Sequence, residues 1–532
     1  MASHPWYADL GSLFSPETPA IVRLIVAALS GAILSLSFRD AHSSFYSWFS
    51  LGLLLWSLLG ARTWVAFFCG FWHGLIFVIT CVPWIAEVLA VHGGMSATAG
   101  WGVLLLIASV WGCSIGLFTW MVLRLSRRGV DLALMGAPFL WISTEVLRAY
   151  LPDISFPWGL LGYPAAGNPA LVQLTTITGI YGISFLVACF NALLVWILAA
   201  APEKKKSRLA LTAGVAVVLL AMMDIGPRLV PKAEAHHTAR VVQPNFPETE
   251  GYVGDWYADH KADLQNLEQL SLQPSPSGQR PDLLVWPEAP APFSFQDPHF
   301  GPYISHIATA FQGPVIVGVI DWKPNEDNSQ HARRAALVPY NSAAMVNALG
   351  RENFLYDKIH LVPFGEYEPF PLIHQVVTSV SEEVGGFRKG KERRVGKFPN
   401  GNTFSIFICY EAIYAGEIRE FANNGAELLI NISNDGWFGK SEAAEQHIRM
   451  ARVRAVENRR WLIRDTNSGI TASIDPYGNE LRVLRRDVRG SADLPYDFRI
   501  DKTIYTRFGD WFAWMCVGVS AILVLLTFRK VK

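Results

Sequence analysis

Charge is scarce in this chain of 532 residues: Asp, Glu, Lys and Arg make up 17%, and 45 basic residues balance 45 acidic ones to a net charge of zero. With no net field to recruit a polyanion, nucleic acid is not an expected partner. Cysteine is sparse as well. The six are Cys69, Cys81, Cys113, Cys189, Cys409 and Cys516, with no CxxC pair and no Cys/His spacing of a zinc site. Five lie in strongly apolar stretches, so Cys409 has no nearby soluble partner for a disulfide. The adjacent His236 and His237 are isolated from other ligand types and read as a solvated linker. A Gly-rich nucleotide loop is also missing. No metal or cofactor is expected.

Apolar surface is abundant instead. Hydrophobic residues reach 51%, with 19 Trp and 31 Phe, and a bilayer is the obvious solvent for that excess. Runs long enough to cross a hydrocarbon core, about 20 residues each, fall near 20–38, 43–60, 63–82, 100–123, 131–148, 174–200, 208–224 and 511–528. The first lacks a basic flank and a small-residue cleavage site, so it is not read as a signal peptide. Basic clusters follow the fourth span (Arg124, Arg127, Arg128), the sixth-to-seventh junction (Lys204, Lys205, Lys206, Arg208) and the last span (Arg529, Lys530, Lys532). If the spans alternate, these clusters share one side, which the positive-inside rule makes cytoplasmic. Both termini are then expected in the cytoplasm, and the segment from about 230 to 508 outside it. Three regions result: a bundle of about seven spans over 1–228, a water-soluble domain over 229–508, and a final span with its tail over 509–532.

The soluble region alternates short apolar runs with amphipathic stretches. Strands are expected at 240–243, 282–286, 314–321, 335–341, 404–409, 427–432, 461–465 and 469–475, and helices within 253–272, 413–424 and 442–459. That rhythm implies an α/β domain with helices covering sheets, whose strand ends offer sites.

At three such ends a reactive side chain follows the apolar run. Pro287 closes Leu-Val-Trp and leaves Glu288; Tyr356-Asp357 precedes Lys358; Phe404-Ser-Ile-Phe-Ile precedes Cys409. Singly, each reads more simply as a loop acid, a solvated lysine and a structural thiol. Together they are a base, a cation and a nucleophile. A carboxylate can take the thiol proton, and an ammonium can favour the thiolate and steady an oxyanion.

The ordered set Leu-Leu-Val-Trp-Pro-Glu288, Tyr-Asp-Lys358, His360-Leu-Val-Pro-Phe-Gly-Glu-Tyr367, Cys409-Tyr-Glu411, Asn434-Asp-Gly-Trp-Phe-Gly439 and Gln446-His-Ile-Arg-Met-Ala-Arg-Val-Arg-Ala-Val-Glu457 resembles the nitrilase, or carbon–nitrogen hydrolase, superfamily. Within it, the chain is similar to the membrane-bound N-acyltransferases of bacterial inner membranes that act on lipoproteins. The resemblance implies an αββα sandwich set between a multi-span bundle and one last span. It also implies transfer of a fatty acyl chain from a phospholipid donor to the α-amino group of a diacylglyceryl-cysteine at a lipoprotein N-terminus, through a thioester. By that likeness Glu288 matches the general base, Lys358 the catalytic lysine and Cys409 the nucleophile. Glu366, Tyr410, Glu411, Trp437 and Trp158 match supporting positions. Ile359 and Glu368 depart from the family's usual residues and leave pocket detail open. Membrane lipid is an implied partner, and the chain is expected to act as a monomer.

Phe293, Phe295, Phe364, Tyr367, Phe370 and Trp437 are candidates to wall the site against water, with ordinary packing as the alternative. The basic stretch 385–394 reads as a solvated loop or a phosphate-headgroup contact. Arg449, Arg452, Arg454, Arg459 and Arg460 read as solvated or paired with nearby acids. A membrane-anchored amidase with the same three residues, and a silent binding scaffold, remain competing readings.

Overall fold

The computed structural model describes residues 17–40, 42–151, 155–247, 255–325, 336–363, 365–367 and 386–528. The chain divides into two units: Met1–Ala86 with Trp101–Pro231 and Phe508–Lys532, and Glu87–Gly100 with Lys232–Arg507.

The first unit is helical. The longer described helices outside the sheet region run Ala20–Leu36 (α1), Ser47–Ser57 (α2), Thr63–Cys81 (α3), Trp84–Val91 (α4), Ala97–Ser126 (α5), Val130–Tyr150 (α6), Ile180–Leu198 (α7) and Pro202–Asp224 (α8), with Trp511–Phe528 closing the chain; all belong to the first unit except α4 from Glu87 on and the first turn of α5, which group with the second. Among the described residues six helices are long and apolar enough to cross a membrane: α3, α5, α6, α7, α8 and Trp511–Phe528. Two of the eight expected spans come out shorter. The first is the 17-residue α1, and the second is only the 11-residue α2, preceded by a 3₁₀ turn at His42–Tyr46. Ser43 in that turn spends its side chain on a local backbone bond, its Oγ donating to the Asp40 carbonyl at 3.0 Å, which competes with a helix. Arg23 of α1 is buried, and its Nη1 donates to the carbonyls of Ser57 at 2.7 Å and Leu59 at 2.6 Å. The carbonyls that the end of α2 leaves open are thereby satisfied by a charge.

The second unit is an αββα sandwich. One six-stranded sheet has the order β12-β1-β2-β3-β4-β5, built from His237–Gln243 (β1), Leu283–Val285 (β2), Val315–Pro324 (β3), Leu337–Val346 (β4), Glu352–Asp357 (β5) and Gly490–Tyr496 (β12). The other has the order β11-β10-β9-β8-β7-β6, from Gly396–Lys397 (β6), Thr403–Ile408 (β7), Leu428–Ser433 (β8), Trp461–Thr466 (β9), Ala472–Ile474 (β10) and Glu480–Arg482 (β11). β1, β2 and β3 are mutually parallel neighbours, as are β7, β8 and β9. Their carboxyl ends are therefore aligned, which is where such sheets expose sites.

Alternation along β3 explains the layering. Val315, Val317 and Val319 enter a core with Leu267 of helix Lys261–Leu272 (α9) and with Phe300, Ile304, Ile307 and Phe311 of helix Phe300–Phe311 (α10). The α10 spacing of four, three and four residues draws one apolar stripe. Phe293 belongs to this core and Phe295 packs against it, which is the ordinary packing the sequence left as the alternative to an aromatic wall; Phe293 stacks on Phe300 at 4.8 Å. Helices Ala415–Asn423 (α11) and Ala443–Asn458 (α12) cover the other sheet. The sheets meet where the Val242 N–H of β1 donates to Asp465 of β9, and where Thr471 Oγ1, one residue before β10, donates to Gln243 of β1.

The arginines of α12 and its end are mostly interior. Arg454 is fully buried beside Glu457, and the buried Arg460 donates to the carbonyls of Ala426 and Asp501. Of the two readings open in sequence, solvation or pairing with nearby acids, Arg454 takes the second with Glu457, and Arg460 makes internal ties to backbone carbonyls instead. His237 starts β1 rather than lying in a linker, and His236 contacts Asp497 at 2.6 Å.

Candidate active site

Three strand ends and one mid-strand residue build the site. β2 ends at Val285, Trp286 is buried with its indole N–H on Ser271 Oγ at 2.9 Å, and Pro287 turns the chain so that Glu288 follows. This turn lies hard against β3: a Cβ on Gly318 would come within 2.4 Å of Ala289 N and 2.8 Å of Glu288 Cα. Only glycine permits that approach. Ala289 itself has φ +27°, so the backbone just past the carboxylate is strained.

The Glu288 carboxylate is 6% exposed and fully engaged. Its Oε1 accepts from Lys358 Nζ at 2.9 Å and Asn341 Nδ2 at 2.8 Å, and its Oε2 accepts from the Asn434 backbone N–H at 2.9 Å. Lys358, one residue past β5, is 1% exposed and also donates to Glu366 Oε1 at 2.9 Å. Asn341 repeats the bridge, donating to Glu366 Oε1 at 2.6 Å, and its carbonyl takes the Lys358 N–H at 2.8 Å. Glu366 is anchored through Oε2 to the Val362 N–H at 2.8 Å. Burial opposes the charge on Lys358, but the carboxylates of Glu288 and Glu366 outweigh it and hold the ammonium well above the usual lysine range.

Cys409 begins a 3₁₀ turn directly after β7 with φ +49°, a left-handed conformation rare for a side chain with a Cβ. Two carboxylates hold this elbow from behind. Glu411 accepts the Ile408 N–H at 2.7 Å on Oε2; its Oε1 takes the Ile359 N–H at 2.7 Å, the His360 N–H at 3.1 Å and the Tyr356 hydroxyl at 2.8 Å. One side chain thus ties the start of the Cys409 turn to the chain on either side of Lys358. Asp435 works deeper. It accepts from Arg464 Nη2 at 2.8 Å on both oxygens and from Ser433 Oγ at 2.9 Å, and His447 beside it places Nε2 3.0 Å from the Cys409 carbonyl.

The thiol of Cys409 lies within the electrostatic reach of Glu288, Lys358 and Asp435 and beside the Ser433 hydroxyl. Burial and the Glu288 carboxylate push it far above its ordinary value, more than Lys358 and the Ser433 hydroxyl pull it down. The resting side chain is therefore a neutral thiol, and the ammonium does not create a standing thiolate. Such a nucleophile needs a base at the moment of attack.

Of the expected residues, Glu288, Lys358, Glu366, Cys409 and Glu411 come together. Tyr410 is buried beside Cys409, its ring 5.4 Å from Tyr414 in an edge contact. Trp437 packs edge-on to His92 at 4.9 Å, within the same unit because Glu87–Gly100 groups with it. Trp158 belongs to the helical unit, fully buried between Phe156 at 5.8 Å and Trp84 at 5.0 Å. Tyr367 carries Lys389 over its ring at 4.7 Å; Phe364 and Phe370 lie outside the described residues. The basic loop is stitched on by backbone: Phe387 N–H to Glu366 O, Arg388 N–H to Pro339 O and Gly390 N–H to Lys358 O, at 3.2, 2.9 and 2.8 Å.

Asn341, Ser433, His447 and Arg464 are not singled out by the motifs' chemistry. The one available signal is a polar residue inside an apolar strand run, as in Tyr340-Asn-Ser-Ala-Ala-Met345 or Leu429-Ile-Asn-Ile-Ser433, which burial obliges to find a partner.

With this geometry in hand, comparison with known proteins is direct. Residues 30–193 match the model of the apolipoprotein N-acyltransferase N-terminal domain, and residues 238–490 match the carbon–nitrogen hydrolase model. The chain is 32% identical to the apolipoprotein N-acyltransferase of Geobacter metallireducens over 98% of this chain and 99% of that one. It is 30% identical to the protein of the same name from Rhodopseudomonas palustris over 95% of each. Among solved structures, an amidase from Nesterenkonia sp. is similar at 17% identity and a TM-score of 0.36, covering 53% of this chain and 95% of that one.

Proposed function

Since the chain belongs to the apolipoprotein N-acyltransferase family, we propose that it moves a fatty acyl chain from a phospholipid to the α-amino group of an N-terminal diacylglyceryl-cysteine on a lipoprotein. The two half-reactions are joined by a thioester on Cys409. The observation that carries this reading is the Lys358 ammonium, held 2.9 Å from both Glu288 and Glu366 and electrostatically coupled to the Cys409 thiol.

In the first half, Glu288 takes the thiol proton as sulfur attacks the ester carbonyl, because the buried thiol does not ionise beforehand. The charge that gathers on the carbonyl oxygen falls to Lys358 and to backbone N–H groups of the elbow. Collapse breaks the ester C–O bond; the lysophospholipid oxygen leaves with the proton from Glu288. In the second half, the lipoprotein amine attacks the thioester and gives a proton to Glu288. The C–S bond then breaks, and that proton returns to sulfur. Glu366 and Asn341 hold Lys358 and Glu288 in register, and Glu411 and Tyr410 support the turn. Trp437 and Trp158 are assigned supporting roles by their match to the family's positions.

The distribution of basic residues supports a bacterial inner-membrane protein with both termini in the cytoplasm and the catalytic unit on the periplasmic side. An amidase acting on small amides is the weaker reading, since the match to the N-terminal domain model and six apolar helices serve no need of a water-soluble substrate.

Intact-mass analysis of the full chain mixed with phospholipid tests the scheme. An acyl adduct is expected that hydroxylamine releases, that Cys409→Ser lacks, and that a diacylated lipopeptide with a free amine discharges. Turnover of small amides without an adduct would sink it.

A further inference from the structure

Behind the nucleophile lies a polar cluster that the acyl-transfer scheme does not use. His447 and Arg464 are fully buried and Asp435 is 1% exposed. The His447 ring lies between two bonding surfaces. Nε2 is 3.0 Å from the carbonyl oxygen of Cys409, and Nδ1 is 3.1 Å from Arg464 Nη2 and 3.2 Å from Asp435 Oδ1.

The chemistry of the partners assigns the proton. A carbonyl can only accept, so Nε2 must carry hydrogen for that contact to be a bond. Arg464 Nη2 has two hydrogens: one goes to Asp435 and the other is in reach of Nδ1, which then serves as acceptor. Burial first, and the guanidinium of Arg464 second, keep the ring below the usual histidine range and neutral. Arg464 therefore selects the tautomer that points a donor at Cys409, and Asn431 and Asp435, the latter held by the Ser433 hydroxyl, fix Arg464 in turn.

What the bond restrains is one peptide plane. Cys409 stands at φ +49°, from which a residue with a Cβ relaxes unless its surroundings hold it. A trans peptide sets its carbonyl and the following N–H in opposite directions. Drawing the Cys409 carbonyl toward α12 thus aims the Tyr410 N–H the opposite way.

We infer that His447 is a positioning residue for acyl transfer: its Nε2–H, oriented by Arg464 and Asp435, clamps the Cys409 carbonyl and so fixes both the nucleophile and the adjoining backbone donor. The inference rests on Cys409 being the acyl carrier. It assigns His447 no contact with substrate and no proton to move. Its effect should fall on the chemical step rather than on binding, since the oriented donor matters most once charge develops.

The test uses the full chain in phospholipid-containing vesicles, with the rate of Cys409 adduct formation followed by intact mass against phospholipid concentration. His447→Leu is expected to lower the maximal acylation rate by roughly tenfold to a hundredfold while leaving the half-saturating phospholipid concentration unchanged. His447→Gln, whose amide N–H reaches where Nε2–H was, should recover most of that rate. Equal rates for Leu and Gln variants, or a folded Leu variant as fast as the unaltered chain, would overturn the inference. If His447→Leu loses its thermal unfolding transition, His447→Asn replaces it: its amide stays near Arg464 but falls short of the Cys409 carbonyl, and the same loss is expected. An unaltered chain that forms no adduct would instead remove Cys409 as the carrier, and this inference with it.

Discussion

Lys358 and Glu288 meet in a 2.9 Å ion pair in which both side chains are almost wholly buried. Two charges removed from water in this way are retained only where each is also bonded elsewhere, and here each is. Glu366 takes the ammonium and Asn434 and Asn341 take the carboxylate. Replacing Glu288 by Gln keeps the shape but removes the proton acceptor. The rate of acyl-adduct formation should fall by about a hundredfold to ten-thousandfold, read by intact mass; normal acylation in that variant would remove Glu288 as the base.

The thiol of Cys409 is held up by burial and by Glu288. A raised value keeps it neutral through physiological pH, and the thiolate fraction grows tenfold per pH unit until that value is passed. Alkylation of Cys409 by iodoacetamide should therefore rise steadily with pH and still be climbing beyond about 8.5, where an ordinary thiol levels off. A plateau near pH 6 or 7 would mean a standing thiolate and contradict the neutral resting state.

Gly318 should be intolerant of any side chain. A methyl group there would meet the backbone of Ala289 and Glu288 at 2.4 and 2.8 Å, and the turn bearing the base must then move. Displacement of a reacting group by about 1 Å costs on the order of a hundredfold in rate. Gly318→Ala is expected to acylate about that much more slowly while still binding phospholipid vesicles, which a flotation assay reports separately.

Asp435 bears on stability as well as on the orientation of His447. Burial opposes its charge, but the Arg464 guanidinium outweighs that and holds the carboxyl far below the usual carboxylate range. Its contribution is thus complete above the unfolded value of about 3.9 and is lost only as pH falls below it toward the depressed folded value. Asp435→Asn leaves Arg464 buried without its counter-charge and should destabilise the catalytic unit by about 3–5 kcal/mol. The deficit in thermal midpoint should be constant from about pH 5 to 8 and narrow only below about pH 4. A variant as stable as the unaltered chain at pH 7 would refute the argument.

The sequence singled out Glu288, Lys358 and Cys409 as candidates because each stands where an apolar run stops, and strand ends are visible as changes of pattern. It carried β1 to β4 and β7 to β9 for the same reason. The second ring of the site left no such mark. His447 and Arg454 look like members of a polar helical face, since periodicity shows where apolar residues gather but not whether the opposite face is covered by another element. β12 was missed, and β5 showed only as the apolar run that ends before Lys358. Asn353 and Pro495 break the alternation expected of strands, and cross-strand partners distant in sequence supply what local propensity does not. Phe293 and Phe295, set among prolines near Glu288, suggested an aromatic wall, but α10 completes a core around them.

Glu411 has a consequence for how the enzyme fails. Its carboxylate accepts from Ile408, which leads out of one sheet, and from Tyr356, Ile359 and His360, which belong to the exit of the other. Cys409 comes from the first sheet and Glu288 and Lys358 from the second, so the site is a junction across a seam. Slippage of one layer against the other by about 1 Å would cost on the order of a hundredfold in rate while leaving the hydrogen bonds within each sheet in place. On warming, catalytic competence should accordingly decay ahead of secondary structure, which makes activity the more sensitive gauge of how tightly the two halves of the sandwich are joined.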